Sequence, residues 1–147
     1  MSRKGTGLVF WRKKSPNNIT DRLLLKAIYE KYYSDFCDYD EENKTRASKN
    51  YVPIDCKAIS AKLDLDQDIV FGRLYYHLER KYGYKKGETI VPLFYLAVGS
   101  DKHVVNFPLL SAVLAELEQS HVRFTLPLWL SLVAIAISAL ALLIQIA

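Results

Sequence analysis

The sequence is poor in cysteine and glycine, and it lacks the short motifs by which many catalytic sites are detected. Its 147 residues include two cysteines and six glycines. Cys37 and Cys56 form no CxxC pair and join no histidine cluster, so neither zinc spacing nor a disulfide scaffold is indicated. No GxSxG, Walker or HExxH pattern occurs, and the glycines are too scattered for a phosphate-binding loop. We therefore expect no enzyme activity, no cofactor and no bound metal.

Charge is missing from the C-terminal segment. Arg123 is the last charged residue, and the run from Thr125 to Ala147 contains no Asp, Glu, Lys, Arg or His. A helix needs roughly 20 apolar residues to cross a bilayer core, and this run meets that length. Pro127 falls in the expected first turn, where its missing N–H costs least, and Trp129 suits the headgroup region. The sequence predicts a transmembrane helix over 124–147; a buried core helix is the alternative.

The distribution of charge predicts the orientation of this span. All 20 Lys and Arg residues and all 16 Asp and Glu residues precede it. The positive-inside tendency then places residues 1–123 in the cytosol. We therefore expect a single-pass, tail-anchored membrane protein with a cytosolic N-terminal domain, in the plasma membrane or, in a bacterium, the inner membrane.

The predicted span carries a seam of small and weakly polar residues. They follow a heptad spacing, and they are Ser131, Ala134, Ser138, Ala141 and Gln145. Small residues let two membrane helices approach closely, and Ser or Gln can hydrogen-bond across the contact. The seam is compatible with a homo-oligomer formed through the span, and equally with the ordinary composition of a single membrane helix.

Acidic residues are absent from the N-terminal segment 1–18, which holds two basic groups around the apolar stretch Leu8–Trp11. Each Lys or Arg near an anionic bilayer contributes roughly 1 kcal/mol of attraction. We expect a membrane-surface role for the residues of this segment and of the entry to the span, namely Arg3, Lys4, Trp11, Arg12, Lys13, Lys14, Arg123 and Trp129. The alternative is a basic tail whose apolar residues pack on the domain.

The part between these segments, 19–123, has the length of one small domain. Thr20 is a candidate N-cap for a helix that runs to Phe36 with one apolar face. The charged stretch Cys37–Asn50 is predicted to be a loop. A second helix is expected to open at Pro53.

A third helix follows over Asp68–Tyr82, with Asp66 as its candidate N-cap. Gly83 is expected to end it in a left-handed conformation. The β-branched and aromatic runs "ETIVPLFYLAV" and "HVVNF" then predict a hairpin with its turn at Gly99–Lys102. Pro92 demotes the first of these strands to an edge or a bulge.

Asn106 is the candidate cap of a last amphipathic helix that ends near His121. The order of three helices, a hairpin and a further helix over Thr20–His121 resembles a winged-helix domain with an extra C-terminal helix. We therefore expect an α+β fold in which a small winged-helix-like domain precedes a single transmembrane helix.

The resemblance implies that duplex DNA is a candidate ligand, with Asp68–Tyr82 as the reading helix. Basic and polar side chains of this helix and of the hairpin would meet phosphates and base edges. The acids Asp64, Asp66 and Asp68 at the leading end of the helix oppose that contact, because duplex DNA is densely negative. The candidate residues for binding a partner or nucleic acid are Arg73, Tyr76, His77, Arg80, Lys81, Lys85, Lys86 and Lys102.

A surplus of aromatic residues favours a protein partner. The set Phe71, Tyr75, Tyr76, Tyr82 and Tyr84 exceeds what one helix needs for its core. Exposed tyrosine beside arginine is typical of protein-binding surfaces. We therefore favour a protein-interaction, adaptor or sensor module that binds an unknown cytosolic protein at the membrane. A membrane-tethered DNA-binding regulator is the second hypothesis. A small effector of a defence or toxin system, acting through oligomerised spans, is the third.

Overall fold

Helices and small antiparallel sheets make up the chain in the computed structural model, which describes residues 19–146. The expected mixed α+β class is confirmed. The membrane-surface residues expected in the N-terminal segment lie outside the described residues, and they are Arg3, Lys4, Trp11, Arg12, Lys13 and Lys14.

The first helix, α1, spans Asp21–Cys37. Its N-cap is Thr20, as predicted: the hydroxyl oxygen of this residue accepts a hydrogen bond from the N–H of Leu23 at 3.3 Å. The expected apolar face is also present, since Leu24, Leu25 and Ile28 are fully buried.

The loop predicted after α1 is confirmed, but it is held in place by a contact that the sequence does not reveal. Arg46 is buried, and its guanidinium donates to the carbonyls of Asp35 at 2.6 Å and Phe36 at 3.3 Å. These carbonyls belong to the last turn of α1, where unpaired acceptors and the helix dipole favour a cation. The same guanidinium donates to the carbonyls of Ser48 and Lys49. Arg46 therefore ties the loop to the end of α1.

A short strand and a second helix follow. Strand β1 spans Tyr51–Pro53, and α2 spans Cys56–Leu63. The prediction that Pro53 opens a helix was wrong. Pro53 ends an edge strand, a place in a sheet that tolerates a missing N–H. The helix begins after Asp55, whose carboxylate accepts from the N–H of Lys57 at 2.8 Å.

Three helical segments then run on without interruption, and we call them the composite helix. They are α3 over Gln67–Gly72, a π-helical segment over Arg73–Leu78 and α4 over Glu79–Tyr82. The predicted cap at Asp66 is confirmed, because its side chain accepts from the N–H of Asp68 at 2.9 Å. The π-helical segment was not predicted.

The prediction of a left-handed Gly83 was wrong. Its backbone is extended, with φ −65° and ψ 143°. A side chain at this position is disfavoured for another reason, since a Cβ atom would lie 2.7 Å from the backbone carbonyl oxygen of Glu79. Glycine is therefore favoured by the close approach of the helix backbone.

The strands form two separate sheets. Strands β2 (Tyr84–Lys86) and β3 (Thr89–Val91) pair only with each other. Strands β4 (Phe94–Val98) and β5 (Asp101–Asn106) form the predicted hairpin and join β1 in the order β1-β5-β4. The long first strand of the prediction is thus divided in two, because Pro92 interrupts it and cannot donate to a ladder.

The last helix, α5, spans Phe107–Ile146. The predicted cap is confirmed: Asn106 Oδ1 accepts from the N–H of Leu109 at 3.2 Å. Two expectations were wrong. The amphipathic helix and the apolar span are one continuous helix, and Pro127 therefore lies in its interior instead of its first turn.

The core of the domain lies between α1, α2, the composite helix, the three-stranded sheet and the start of α5. From α5 it includes Phe107, Leu110, Val113 and Leu114. Arg22 of α1 reaches Glu118 at 3.0 Å, near the end of this packed part. We call Phe107–Glu118 the docked half of α5 and Gln119–Ile146 its exposed half.

Candidate functional site

An open surface depression lies between the composite helix and the β2–β3 hairpin. It has a volume of about 610 Å³, and its walls include Tyr75, Tyr76, Arg80, Tyr84 and Ile90. Tyr76 is 72% exposed and Ile90 is 61% exposed, although both are large apolar residues. Contiguous exposed apolar surface of this kind marks binding sites more often than it occurs by chance.

Two further depressions continue this surface along strand β4. The first, of about 360 Å³, shares Tyr75 and Ile90 and adds Tyr95 and Leu96. The second, of about 250 Å³, lies beside it, and its lining residues are Tyr51, Ile90, Pro92, Tyr95 and Val98. We call the three depressions together the aromatic groove.

The composite helix presents its tyrosines to this groove because its opposite face is held in the core. Leu74 and Leu78 are fully buried, while Tyr75 and Tyr76 between them are exposed. The rings of Tyr75 and Tyr76 meet edge to face with centroids 4.9 Å apart. Two aromatic rings that contact each other therefore form this wall of the groove, on a helix whose opposite face is buried.

Glu79 connects this helix to the strand on the far side of the groove. Its carboxylate accepts a hydrogen bond from the N–H of Phe94 at 2.7 Å, and its other oxygen lies against Gly83. Phe94 in turn packs edge to face against Phe71 of α3, with ring centroids 5.9 Å apart. Glu79 is therefore a structural support of the groove.

Two cations and a histidine on another face of the composite helix converge on one carboxylate. Arg73 reaches Asp21 at 2.7 Å, Lys81 at 2.8 Å and His77 at 3.4 Å. Arg73 also donates to the carbonyl of Ile19. Arg73 and His77 belong to the π-helical segment and Lys81 to α4, and successive members of this set are four residues apart.

The electrostatics of the cluster follow from this geometry. Burial raises the pKa of Asp21, but the hydrogen bonds from Lys81 and Arg73 outweigh burial and hold that pKa below its ordinary value of 3.8. The hydrogen bond to Asp21 raises the pKa of Lys81 above its ordinary value. The Asp21 carboxylate and the Lys81 ammonium are therefore both ionised at neutral pH, and they bind the composite helix to the start of α1.

The structure divides the residues predicted to bind a partner into three groups. Tyr76, Arg80 and Lys85 come together in the aromatic groove. Lys86 and Lys102 are exposed but line none of its three depressions. The remaining three, Arg73, His77 and Lys81, face Asp21.

Acidic residues stand at the leading end of the composite helix, as the sequence indicated. Asp64, Asp66 and Asp68 are all exposed. Asp64 adopts a left-handed conformation with φ 55° at the end of α2. The end of the composite helix that would approach duplex DNA is therefore negative, while Arg73, His77 and Lys81 are engaged by Asp21.

The sequence missed half of the groove. Ile90, Tyr95 and Leu96 belong to a continuous apolar run, which favours a buried strand, yet all three are exposed. Two of the five surplus aromatic residues, Phe71 and Tyr82, do not line the groove and are half-buried against the core. The signal available in the sequence is Pro92. It divides the run into two strands, which belong to different sheets.

The exposed half of α5 is a second candidate functional element. It is long and apolar enough to cross a membrane, and none of its most apolar window is buried against the domain. Trp129 is 68% exposed, and Arg123 is also exposed. The alternative of a buried core helix is therefore not what the structure shows.

The predicted seam lies within this exposed half. Ala134, Ala141 and Gln145 are exposed along it. The hydroxyls of Ser131 and Ser138 donate to the carbonyls of Pro127 and Ala134, each at 2.9 Å. Each serine therefore uses its own helix as a hydrogen-bond acceptor, and its oxygen still has a lone pair for a neighbouring helix.

Among residues 19–146, no group of three His, Cys, Asp or Glu side chains is placed to hold a metal ion. Burial raises the pKa of the Cys56 thiol above its ordinary value of 9.0, which opposes formation of a reactive thiolate. Comparison of the chain with protein-family models, with curated proteins and with solved structures finds no match.

Proposed function

We propose that the chain is a single-pass membrane protein in which the exposed half of α5 crosses the bilayer. The observation that carries this proposal is the exposure of a long apolar helix that continues without a break from a docked one. From Thr125 to Ile146 such a helix is roughly 33 Å long at 1.5 Å per residue, which matches a hydrocarbon core of about 30 Å. In water this surface would drive aggregation.

The domain lies on the cytosolic side in this proposal. Every Lys and Arg of the chain precedes the apolar run, and Arg123 stands at its entry. Only Gln119–Arg123 separates the docked half from that run, and this stretch remains helical. The domain is therefore held close to the headgroups, without a flexible linker.

The aromatic groove is the interaction surface of this anchored module. Exposed tyrosines beside Arg80 are the side chains that protein interfaces favour. Anchoring raises the effective concentration of a weak binder at the membrane and fixes its orientation. The module would thus recruit a cytosolic protein, as an adaptor or a sensor, and its chemistry is binding.

A winged-helix relationship and binding of duplex DNA form the second candidate. The order of α1, α2 and the composite helix, followed by a hairpin, supports it, and Arg80, Lys85 and Lys86 have no ion pair among the described residues. The engagement of Arg73, His77 and Lys81 by Asp21 argues against it. A mobility-shift assay at low salt on the full chain in nanodiscs tests this candidate. Salt-sensitive binding of duplex DNA would favour it over recruitment of a protein.

Photo-crosslinking in cells tests the recruitment function. A benzoylphenylalanine in place of Tyr76 should trap one polypeptide partner when α5 is intact, and the same amino acid in place of Lys57 should not. Lys57 is an exposed residue of α2 that lines none of the depressions. Equal products at both positions, or none at Tyr76, would contradict the proposal.

A further inference from the structure

We infer that the aromatic groove receives an extended segment of a partner protein, which adds as a strand to the free edge of β4 and carries acidic residues toward Arg80 and Lys85. This inference rests on the proposed function and specifies the conformation and charge of the partner. Strand addition supplies main-chain hydrogen bonds for affinity and side-chain pockets at alternate positions for specificity.

The first support is the position of β4 in its sheet. Within the described chain, β4 pairs with β5 on one side and with no strand on the other. An edge strand exposes unpaired backbone N–H and C=O groups, which are a template for a further strand. The end of this edge at Phe94 is already occupied, since the N–H of that residue donates to Glu79. The accessible part is Tyr95–Val98.

The second support is the composition of that edge. Proteins usually protect an exposed edge with a charged residue, a proline or a covering element. The sequence of β4, FYLAV, contains no charge and no proline, and Tyr95 and Leu96 are 53% and 44% exposed. An unprotected apolar edge beside a groove is the arrangement expected where a partner strand covers it.

The third support is the charge at the other end of the groove. Arg80 and Lys85 line the depression that continues from the β4 edge, and neither makes an ion pair among the described residues. The carboxylate of Glu79 in the same wall is used by the N–H of Phe94. Within the described part of the chain, two cations against one carboxylate leave this wall net positive, which favours an acidic ligand by charge complementarity. A second copy of this chain would bring its own Arg80 and Lys85 and is less suited.

The experiment measures fluorescence anisotropy of a synthetic peptide added to the full chain in neutral nanodiscs. The peptide alternates valine and threonine and carries aspartates at one end; companion peptides carry aspartates at the other end, or lysines in their place. We expect an aspartate peptide to bind at least about tenfold more tightly than the lysine peptide. Equal binding of all peptides, or none, would overturn the inference.

Two changes test strand addition and the preference for acidic residues separately. Methylation of alternate peptide nitrogens removes hydrogen-bond donors without altering the protein, and it should abolish binding if a ladder forms. On the protein, Arg80→Glu with Lys85→Glu should weaken binding of the aspartate peptide about tenfold, whereas Lys57→Glu should leave its binding unchanged. Unchanged binding after methylation would refute strand addition, and unchanged binding after charge reversal would refute the acidic specificity.

Leu96→Lys places a charge on the exposed edge itself and should weaken binding of the aspartate peptide several-fold. Attraction between lysine and aspartate alone would strengthen that binding instead. Tighter binding would show that only charge matters and would overturn the strand addition. Crosslinking between two copies through Tyr95, in chains that bind no peptide, would identify a second copy as the occupant. The crosslinking product at Tyr76 tests the proposed function separately, because any polypeptide partner satisfies it.

Discussion

The two halves of α5 belong to one helix but have opposite surroundings. In the docked half, Leu110 and its apolar neighbours pack in the core, Glu118 pairs with Arg22 of α1, and Glu116 is exposed. In the exposed half, apolar residues cover every side, and none of the most apolar window is buried by the domain. A helix that is apolar on one stripe packs on a domain, whereas one that is apolar all round needs a larger core or a lipid phase. In the proposed topology, the boundary between protein and membrane therefore lies inside a continuous helix.

The largest expected effect breaks the exposed half. Ile135→Arg with Leu140→Arg places two charges in the middle of the apolar run, and each costs about 2.5–3.5 kcal/mol at the centre of a span. After alkaline washing of membranes, we expect this variant in the supernatant instead of the pellet. Degradation of the variant in the cell is the other expected outcome. Gln119→Arg with Ser120→Arg adds the same charge before the run and should leave the chain in the pellet; release of both variants would contradict the account.

The second-largest effect is expected from a change in the docked half of α5, which should act on the domain alone. Leu110 is fully buried, and Leu110→Ala should lower the free energy of unfolding of the domain by about 2–5 kcal/mol, through lost burial and the cavity left behind. Thermal denaturation of the full chain in detergent measures this loss. Membrane association should be unchanged, since the exposed half is intact. Loss of membrane association at a temperature where the domain is folded would show that the halves are not independent.

The smallest effect concerns α1, on which the docked half rests. Asp21→Asn removes the carboxylate that holds Arg73 and Lys81, and we expect about 1 kcal/mol less stability at neutral pH. The pKa of Asp21 is lowered by folding, so its stabilising effect is present above the ordinary carboxyl pKa and is lost as the pH falls through the lower, folded value. The difference between the two proteins should therefore be largest near neutrality and should close below pH 3.8. A difference independent of pH would refute the ionic explanation.

Local signals in the sequence predicted much of this fold. The caps at Thr20, Asp66 and Asn106, the hairpin and the apolar C-terminal run each depend on a few neighbouring residues, and the structure confirms them. The hairpin turn is shorter than predicted, because Asp101 and Lys102 already pair with β4. The helix expected at Pro53 failed because pairing with β5, far along the chain, decides its conformation. The winged-helix resemblance depends on how these elements are arranged in space, and it stays a prediction.

The candidate site was predictable only in part, because its residues meet through long-range contacts. Arg73 and Lys81 are basic residues on a helix face, and nothing near them in the sequence indicates that Asp21 neutralises that face. Likewise, the exposure of Tyr95 depends on β4 being an edge strand, which is a property of the sheet order. The tyrosines of the composite helix could be identified from composition, but their partners on β4 could not.

The most direct test of the account is the environment of the exposed half of α5 in a bilayer. A nitroxide on Ile137→Cys, in a Cys37→Ser background reconstituted into liposomes, reports collisions with oxygen and with a water-soluble nickel chelate; the same label on Ser120→Cys is the aqueous control. We predict that the label at Ile137 meets oxygen and not the chelate, as a lipid-facing site does, and that the control meets the chelate. Free access of the chelate to both positions would contradict a membrane span.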